Sequence, residues 1–137
     1  MEDKILLEIV TPEKSLIKEE AKEVTAPGEE GEFGVLPGHT PFMTVLKTGE
    51  IKYGGKEGSY KYLAVNDGFA EVMPDRVNIL VESAEKAEEI DIQRAEASKD
   101  RAEERIKNAD KEEIDFARAQ AALKRALIRL QVATRVR

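Results

Sequence analysis

The side chains that most often carry out chemistry are scarce in this sequence. It has one histidine, His39, and no cysteine, so thiol nucleophiles, disulfides and thiolate metal sites are excluded. A zinc site needs several ligands, and a lone histidine supplies one of them. The carboxylates show neither the spacing of a calcium loop nor that of a glycosidase pair. We therefore predict no catalytic residue and no metal site, and we interpret His39 as a hydrogen-bonded loop residue.

His39 lies in a segment rich in glycine and proline, residues 27–41, with the sequence PGEEGEFGVLPGHTP. Its four glycines and three prolines predict a tightly shaped loop. Glycine-rich loops suggest phosphate binding, but this one lacks the Gly-Lys-Ser/Thr ending and the GxGxxG pattern, and its three glutamates would repel phosphate. A structural or docking loop is the favoured interpretation.

A second candidate site lies towards the end of the chain. Arg125 and Arg129 are one helical turn apart, so on a helix their guanidinium groups share a face and could converge on a triphosphate. Asp91 and Glu85 could accept hydrogen bonds from a base or a ribose. The alternative is that the arginines are exposed or paired with nearby glutamates, and the spacing alone favours that alternative.

The elements that must position the loop are short β segments. Apolar, β-branched stretches alternate with turn signals, among them Gly54-Gly55 and the proline turn at Met73–Arg76. They predict an N-terminal β-sandwich, or flattened barrel, of about eight to ten short strands over residues 1–87. The candidate strands are residues 5–10, 15–18, 21–26, 42–46, 50–53, 60–65, 69–72 and 77–81.

From about residue 88 the composition changes to Ala, Glu, Lys and Arg, which is typical of exposed helix. Asp91 is the predicted cap of a first helix, and Asp110 with Glu113 resembles a capping box for a second. Residues 88–137 are therefore predicted to form an antiparallel two-helix hairpin, which makes the chain α+β. Because the apolar stripes are rich in alanine, the hairpin should be marginally stable. The expected stripes are Ile92, Ala95, Ala102 and Ile106, then Ile114, Ala117, Ala121, Leu127 and Leu130.

The net charge of −6 is unevenly distributed. Residues 1–87 carry 10 basic and 17 acidic side chains, whereas residues 88–137 carry 12 and 11. The six basic residues after Asp115 give the tail a positive potential that suits an acidic protein surface or a nucleotide. No apolar run approaches the roughly 20 residues of a membrane span, and no signal peptide is recognisable. A cytoplasmic or peripheral protein is expected.

Three motifs together resemble the epsilon subunit of F-type ATP synthases. They are GEFGVLPGHTP at residues 31–41, NDGFAEV at 66–72, which is similar to the family's final hairpin, and IDIQRA at 90–95, which is similar to its helix-opening motif. The resemblance covers essentially the whole chain. It implies a non-catalytic rotor subunit of a proton-translocating ATP synthase, which couples ring rotation to ATP synthesis and inhibits ATP hydrolysis through its hairpin.

The resemblance also implies partners and a location. The sandwich would pack on the gamma subunit and touch the subunit c ring, with Glu32 and His39 in the ring-facing region. The hairpin would fold down beside the sandwich or extend along gamma to the alpha and beta subunits. No nucleic acid partner is expected. The chain would reach the membrane only through the complex, at the cytoplasmic face of a bacterial inner membrane, with the plastid thylakoid less favoured.

Some bacterial members of this family bind ATP in the folded-down state. No cofactor is required, and ATP would be a regulatory ligand. For ATP binding, the alternative is that the motif is retained without physiological binding. For the function of the whole chain, the alternatives are a stand-alone nucleotide-sensing adaptor domain with a helical docking hairpin and, after it, an enzyme. The residues that match the family's ATP motif are Glu85, Ile90, Asp91, Arg94, Ala95, Arg125 and Arg129.

Overall fold

Two compact units make up the chain. The structure, a computed structural model, describes residues 4–55, 59–108 and 113–136. The first unit is Met1–Glu85 and the second is Lys86–Arg137. The first is built from strands and the second from helices, which confirms the predicted α+β class.

Eight strands, joined through their hydrogen bonding, form the first unit. They are Ile5–Val10 (β1), Ser15–Ala21 (β2), Glu23–Gly28 (β3), Gly31–Val35 (β4), Phe42–Leu46 (β5), Gly49–Gly54 (β6), Tyr60–Met73 (β7) and Arg76–Lys86 (β8). Their order is β2-β1-β8-β7-β5-β3-β4, and β6 pairs with both β3 and β7. β1 runs parallel to β8, whereas β1 and β2, β3 and β4, β5 and β7, and β6 and β7 are antiparallel pairs.

Alternate residues of the strands form one apolar core. In β1, Ile5, Leu7 and Ile9 are completely buried, and Leu6 between them is exposed. Ile9 lies opposite Ile79 of β8, which is also completely buried. A period of two is what a strand with one buried face requires. Burial of each large aliphatic side chain contributes about 1.5–3 kcal/mol, so this core stabilises the first unit.

The glycine-rich segment contains a strand that the sequence did not predict. β4 forms a hairpin with β3 in which Gly28 lies opposite Gly31, with Glu29 and Glu30 between them. Gly31 has a φ of 137°, a conformation that L residues rarely adopt. The prediction of a loop was therefore wrong for residues 31–35, because these glycines allow a tight hairpin turn and leave the strand beyond it regular.

Two predicted strands, residues 60–65 and 69–72, are parts of the single long strand β7. The strand continues through Asp67, although Asp67 has a φ of 38°. At the next residue, a Cβ atom on Gly68 would lie 1.8 Å from the carbonyl oxygen of Leu80. Only glycine therefore allows β7 to come this close to β8. The buried positions change from odd to even numbers here, from Leu63 and Val65 to Ala70 and Val72.

Two helices, Ile92–Asn108 (α1) and Glu113–Ala133 (α2), pack against each other in the second unit. Asp91 caps α1 as predicted, since its Oδ1 accepts a hydrogen bond from the Arg94 backbone N–H at 3.1 Å. The predicted capping box of α2 depends on Asp110, which lies outside the described residues. A short 3-10 turn, Ala87–Glu89, precedes α1.

The buried face of the helices consists largely of alanine at every seventh position. These alanines are Ala95 and Ala102 in α1 and Ala119, Ala126 and Ala133 in α2. A seven-residue repeat keeps one seam of a helix facing its partner, and the smallest side chains allow close approach. The stripe predicted for α2 was wrong, because the buried positions follow the seven-residue repeat of Ala119, Ala126 and Ala133. Three of its members are exposed: Ala117, Ala121 and Leu127.

Candidate functional site

An apolar row crosses the outer face of β5, β7, β8 and β1. The register places Val45 opposite Phe69 and Val10 opposite Leu80, and β7 neighbours β8. Val45 is 46% exposed, Phe69 54% and Leu80 51%. Contiguous apolar patches are rarely left open to water unless they bind something. The row therefore defines an interaction surface, which we call the outer apolar face.

A groove of about 580 Å³ opens on the outer apolar face. Most of its lining is apolar and includes Val10, Val45, Phe69 and Leu80. Gly68 also lines it and has no side chain to fill it. The two charged residues of the lining are Asp67 and Glu82.

Four carboxylates lie on this face, and they differ in their partners. The Ser15 hydroxyl donates to Glu8 at 2.8 Å, and the Asn78 amide donates to Glu71 at 3.2 Å. The other two are Asp67 and Glu82, which form no hydrogen bond or ion pair with any part of the chain that the structure describes. Both are exposed, so water solvates them in the isolated chain.

Glu32 and His39, which we expected to face the ring, lie in β4 and in the loop that follows it. Glu32 is exposed and His39 half-buried. The His39 Nδ1 atom lies 2.8 Å from the carbonyl oxygen of Thr40, which confirms a hydrogen-bonded loop histidine. The Gly38 N–H donates to the carbonyl oxygen of Pro74 at 2.7 Å. This bond connects the loop to the turn between β7 and β8 and holds its shape.

The seven predicted ATP-site residues are divided between the two units. Glu85 is half-buried in β8, in the first unit, and the other six lie in the second. Ile90 and Ala95 are buried, at 2% and 0% exposure. The carboxylate of Asp91 caps α1, so part of its hydrogen-bonding capacity is already used.

The predicted arginine pair lies on α2. Arg125 is exposed and Arg129 is half-buried, and the two are one turn apart on the helix. α2 also exposes Phe116 and Leu127, at 40% and 46%. Its surface therefore combines positive charge with apolar side chains.

The described residues hold neither a metal-binding cluster nor a membrane-spanning helix. They contain no group of three or more His, Asp or Glu side chains that could hold a metal ion. None of the helices within them has the length and apolar character needed to cross a membrane.

Tyr60 belongs to a polar cluster on the sandwich, away from the outer apolar face. Its hydroxyl donates a hydrogen bond to the Glu23 carboxylate, and Lys52 Nζ lies 4.1 Å from its ring centroid. The hydrogen bond to Glu23, with a smaller contribution from desolvation, raises the pKa of Tyr60 above its usual value.

These features define a class of protein in which a β-sandwich with an exposed apolar row on its outer face precedes a helical hairpin. Two family models match the chain. The beta-sandwich domain of the ATP synthase, Delta/Epsilon chain, matches residues 4–87, and its long alpha-helix domain matches residues 88–134. The chain belongs to the ATP synthase epsilon chain family, and it is a non-catalytic subunit.

Curated relatives agree with this assignment, and solved structures share the fold. The ATP synthase epsilon chain of Geotalea daltonii is 53% identical and the match covers 97% of this chain and 96% of the relative. The ATP synthase epsilon chain of Geotalea uraniireducens is 50% identical, and the match covers 98% of this chain and 97% of the relative. A chain of the Euglena gracilis mitochondrial ATP synthase, OSCP/F1/c-ring, is similar with a TM-score of 0.82 at 24% identity, covering 100% of this chain and 84% of that one.

A second solved structure has the same fold at lower similarity. It is a chain of the Tetrahymena thermophila mitochondrial ATP synthase central stalk and c-ring, with a TM-score of 0.56 at 14% identity. The match covers 96% of this chain and 95% of that one. At these identities the two structures support the fold alone.

The outer apolar face was not predicted from the sequence, although a signal was present. A strand with one solvated face should alternate apolar and polar residues. β5 reads Phe42-Met43-Thr44-Val45-Leu46 and β8 contains Ile79-Leu80-Val81, so both carry apolar residues on both faces. That pattern predicts that the second face is covered in the assembled protein.

Proposed function

We propose that the chain is a central-stalk rotor subunit of a proton-translocating F-type ATP synthase. In this role it couples rotation of the subunit c ring to ATP synthesis, and its hairpin inhibits ATP hydrolysis. Membership of the epsilon chain family supports the proposal. The two structural neighbours, which share the fold, come from complexes described as F1 with the c-ring and as central stalk with the c-ring.

The observation that carries the proposal is the outer apolar face. A subunit that transmits torque without catalysis must hold its partner firmly, and burial of exposed apolar side chains is the main source of affinity at such surfaces. Phe69 and Leu80, both about half exposed, are the principal anchors. In the proposed complex this face packs on the gamma subunit.

The loop at residues 36–41 is the proposed contact with the ring. Its backbone is held by the bond from Gly38 to Pro74, next to His39, and Glu32 precedes the loop in β4, where it lies opposite Pro27 of β3. Glu32 would meet a polar or basic loop of subunit c. Through these contacts the chain would lie at the cytoplasmic face of a bacterial inner membrane, attached only through the complex.

The hairpin is the proposed regulatory element. Alanine buries little area, so the second unit gains less from packing than the sandwich does. Its α2 helix also displays Phe116, Leu127 and several arginines, which suits a second partner. In the proposed inhibited state the hairpin extends to the alpha and beta subunits, and its exposed apolar and basic side chains contact them.

ATP is the proposed regulatory ligand of the hairpin, and no cofactor is required. The arginine pair on α2 supplies the charge for a triphosphate, and α1 begins with the family's motif at residues 90–95. The proposed contacts are Glu85, Ile90, Asp91, Arg94, Ala95, Arg125 and Arg129. Calorimetric titration with ATP tests them, with Arg125→Ala and Arg129→Ala expected to lose saturable binding.

Binding to a purified gamma subunit tests the docking role. Phe69→Glu and Leu80→Glu should each weaken binding at least about 30-fold, because they place a charge where apolar burial drives association. Leu36→Glu is the matched control, since Leu36 is 59% exposed but lies in the loop after β4. Unchanged binding by both face variants, with folding verified by circular dichroism, would contradict the proposal. ATP binding without any affinity for gamma would instead favour the stand-alone sensing domain.

A further inference from the structure

The groove on the outer apolar face has the size of a binding pocket. Its volume of about 580 Å³ falls within the range of about 300–1,000 Å³ that is typical of ligand sites. The strand residues Val45, Phe69 and Leu80 line it with apolar surface. A site of this kind can accept a large apolar side chain from a partner, in the way that pockets at protein interfaces accept anchor residues.

Two carboxylates at the groove give it a charge requirement as well. The hydrogen bonds from Asn66 to Ser83 at 2.6 Å and from Asn78 to Glu71 join β7 to β8, and both agree with a register in which Asp67 lies opposite Glu82. Within the described residues neither has a partner, so two like charges lie next to an apolar cavity. A partner that covered the groove without a cation would remove both from water at a cost in free energy.

We propose that the groove binds a large apolar side chain of the gamma subunit that has a lysine or arginine directly beside it, and that this cation pairs with Asp67 and Glu82. The inference depends on the proposed function, because it describes the chemistry of the same docking face. The apolar side chain supplies most of the affinity. Because Asp67 and Glu82 are the two charged residues of the lining, the cation would help to fix the register of the two proteins.

The same charges argue against other occupants. A second copy of the chain that used the same face would bring two pairs of carboxylates together, which is repulsive. An anionic ligand such as a phosphate or a lipid headgroup would be repelled for the same reason. Charge complementarity therefore selects a basic partner surface.

The test compares the double variant Asp67→Asn/Glu82→Gln with the wild-type chain in binding to purified gamma, over a series of salt concentrations. These substitutions keep shape and remove charge. We expect the variant to bind about tenfold more weakly at low salt, and its affinity to change less with salt than that of the wild type. The matched control is Glu8→Gln/Glu71→Gln, which removes two carboxylates that already have partners on the same face and should change affinity less than about twofold.

A second variant separates the apolar contribution from the charge. Leu80→Ala should weaken binding about 30-fold at every salt concentration, because apolar burial is not screened. If Leu80→Ala weakens binding but the Asp67/Glu82 variant keeps the affinity and salt dependence of the wild type, the inference is overturned and the proposed function stands. If the wild-type chain does not bind gamma, both are overturned. Self-association of the chain alone that the Asp67/Glu82 variant abolishes would assign the groove to a second copy and also overturn the inference.

Discussion

The sandwich and the hairpin are stabilised by different kinds of core. In the sandwich the completely buried side chains are mostly isoleucine, leucine and valine, contributed by residues far apart in the sequence. In the hairpin the seam is alanine at every seventh position, and the helices that form it are neighbours in the chain. Because the free energy of burial scales with apolar area, we expect the sandwich to be the more stable unit and the hairpin the less stable one. Four measurements test this contrast.

Truncation of the sandwich core should have the largest effect. Ile79→Ala in β8 removes a completely buried side chain and should lower the free energy of unfolding by about 2–5 kcal/mol. The neighbouring Leu80→Ala, at a half-exposed position, should change it by less than about 0.5 kcal/mol. Chemical denaturation followed by circular dichroism measures both. Equal losses would mean that the outer face is part of the core.

Enlargement of the alanine seam should have the next largest effect, confined to the hairpin. Ala102→Leu inserts a large side chain between closely packed helices and should destabilise them by about 1–3 kcal/mol. Ala97→Leu, on the exposed surface of α1, is the control and should be nearly neutral. Amide hydrogen exchange of the two units, read separately, checks the result. A loss of protection in the sandwich as well would show that the units unfold together.

Removal of the cap of α1 should have a smaller effect on stability still. Asp91→Ala deletes the acceptor of the Arg94 N–H and should cost about 1 kcal/mol of helix stability, whereas Asp91→Ser retains a capping oxygen. Hydrogen exchange in the first turn of α1 without ATP measures the difference. If Asp91→Ala leaves that exchange unchanged, the carboxylate does not stabilise the helix.

The smallest expected effect is on the pKa of Tyr60 in the sandwich. The Glu23 carboxylate accepts the Tyr60 hydroxyl and raises the pKa of Tyr60 in the folded state. The stability that this bond contributes is present below the usual tyrosine pKa and is lost as the pH rises through the folded-state pKa. In Glu23→Gln the Tyr60 pKa should fall towards its usual value, which NMR of ring-labelled tyrosine would show. A pKa unchanged by the substitution would refute the assigned cause.

Local sequence patterns predicted the elements whose partners are unambiguous. The strands at residues 5–10 and 42–46 were predicted with their observed bounds, because a short apolar run between turn residues is typical of a strand. β4 was missed because its glycines signal a loop, and only pairing with β3 makes it a strand. The buried face of α2 was misjudged because hydropathy favours Leu127, whereas close helix packing favours Ala126.

The candidate sites show the same difference between features set by neighbours in sequence and features set by distant parts of the chain. The cap at Asp91 and the hydrogen-bonded His39 depend on neighbours in sequence and were predicted. The outer apolar face depends on the register of four strands, two of which, β1 and β8, begin about seventy residues apart in the chain, and no local pattern specifies that register. The grouping of Phe69, Leu80, Asp67 and Glu82 around one groove followed only from the structure.

The parallel pairing of β1 with β8 has a consequence for biosynthesis. β8, the last strand to be synthesised, lies between β1 and β7, so the first strand has its partner β2 but lacks its inner neighbour until residues 76–86 have left the ribosome. Until then the apolar side of β1, with Leu7 and Ile9, has no complete core to enter. Folding of the sandwich is thus delayed until nearly all of its sequence is present, and the nascent chain needs protection from aggregation during that interval.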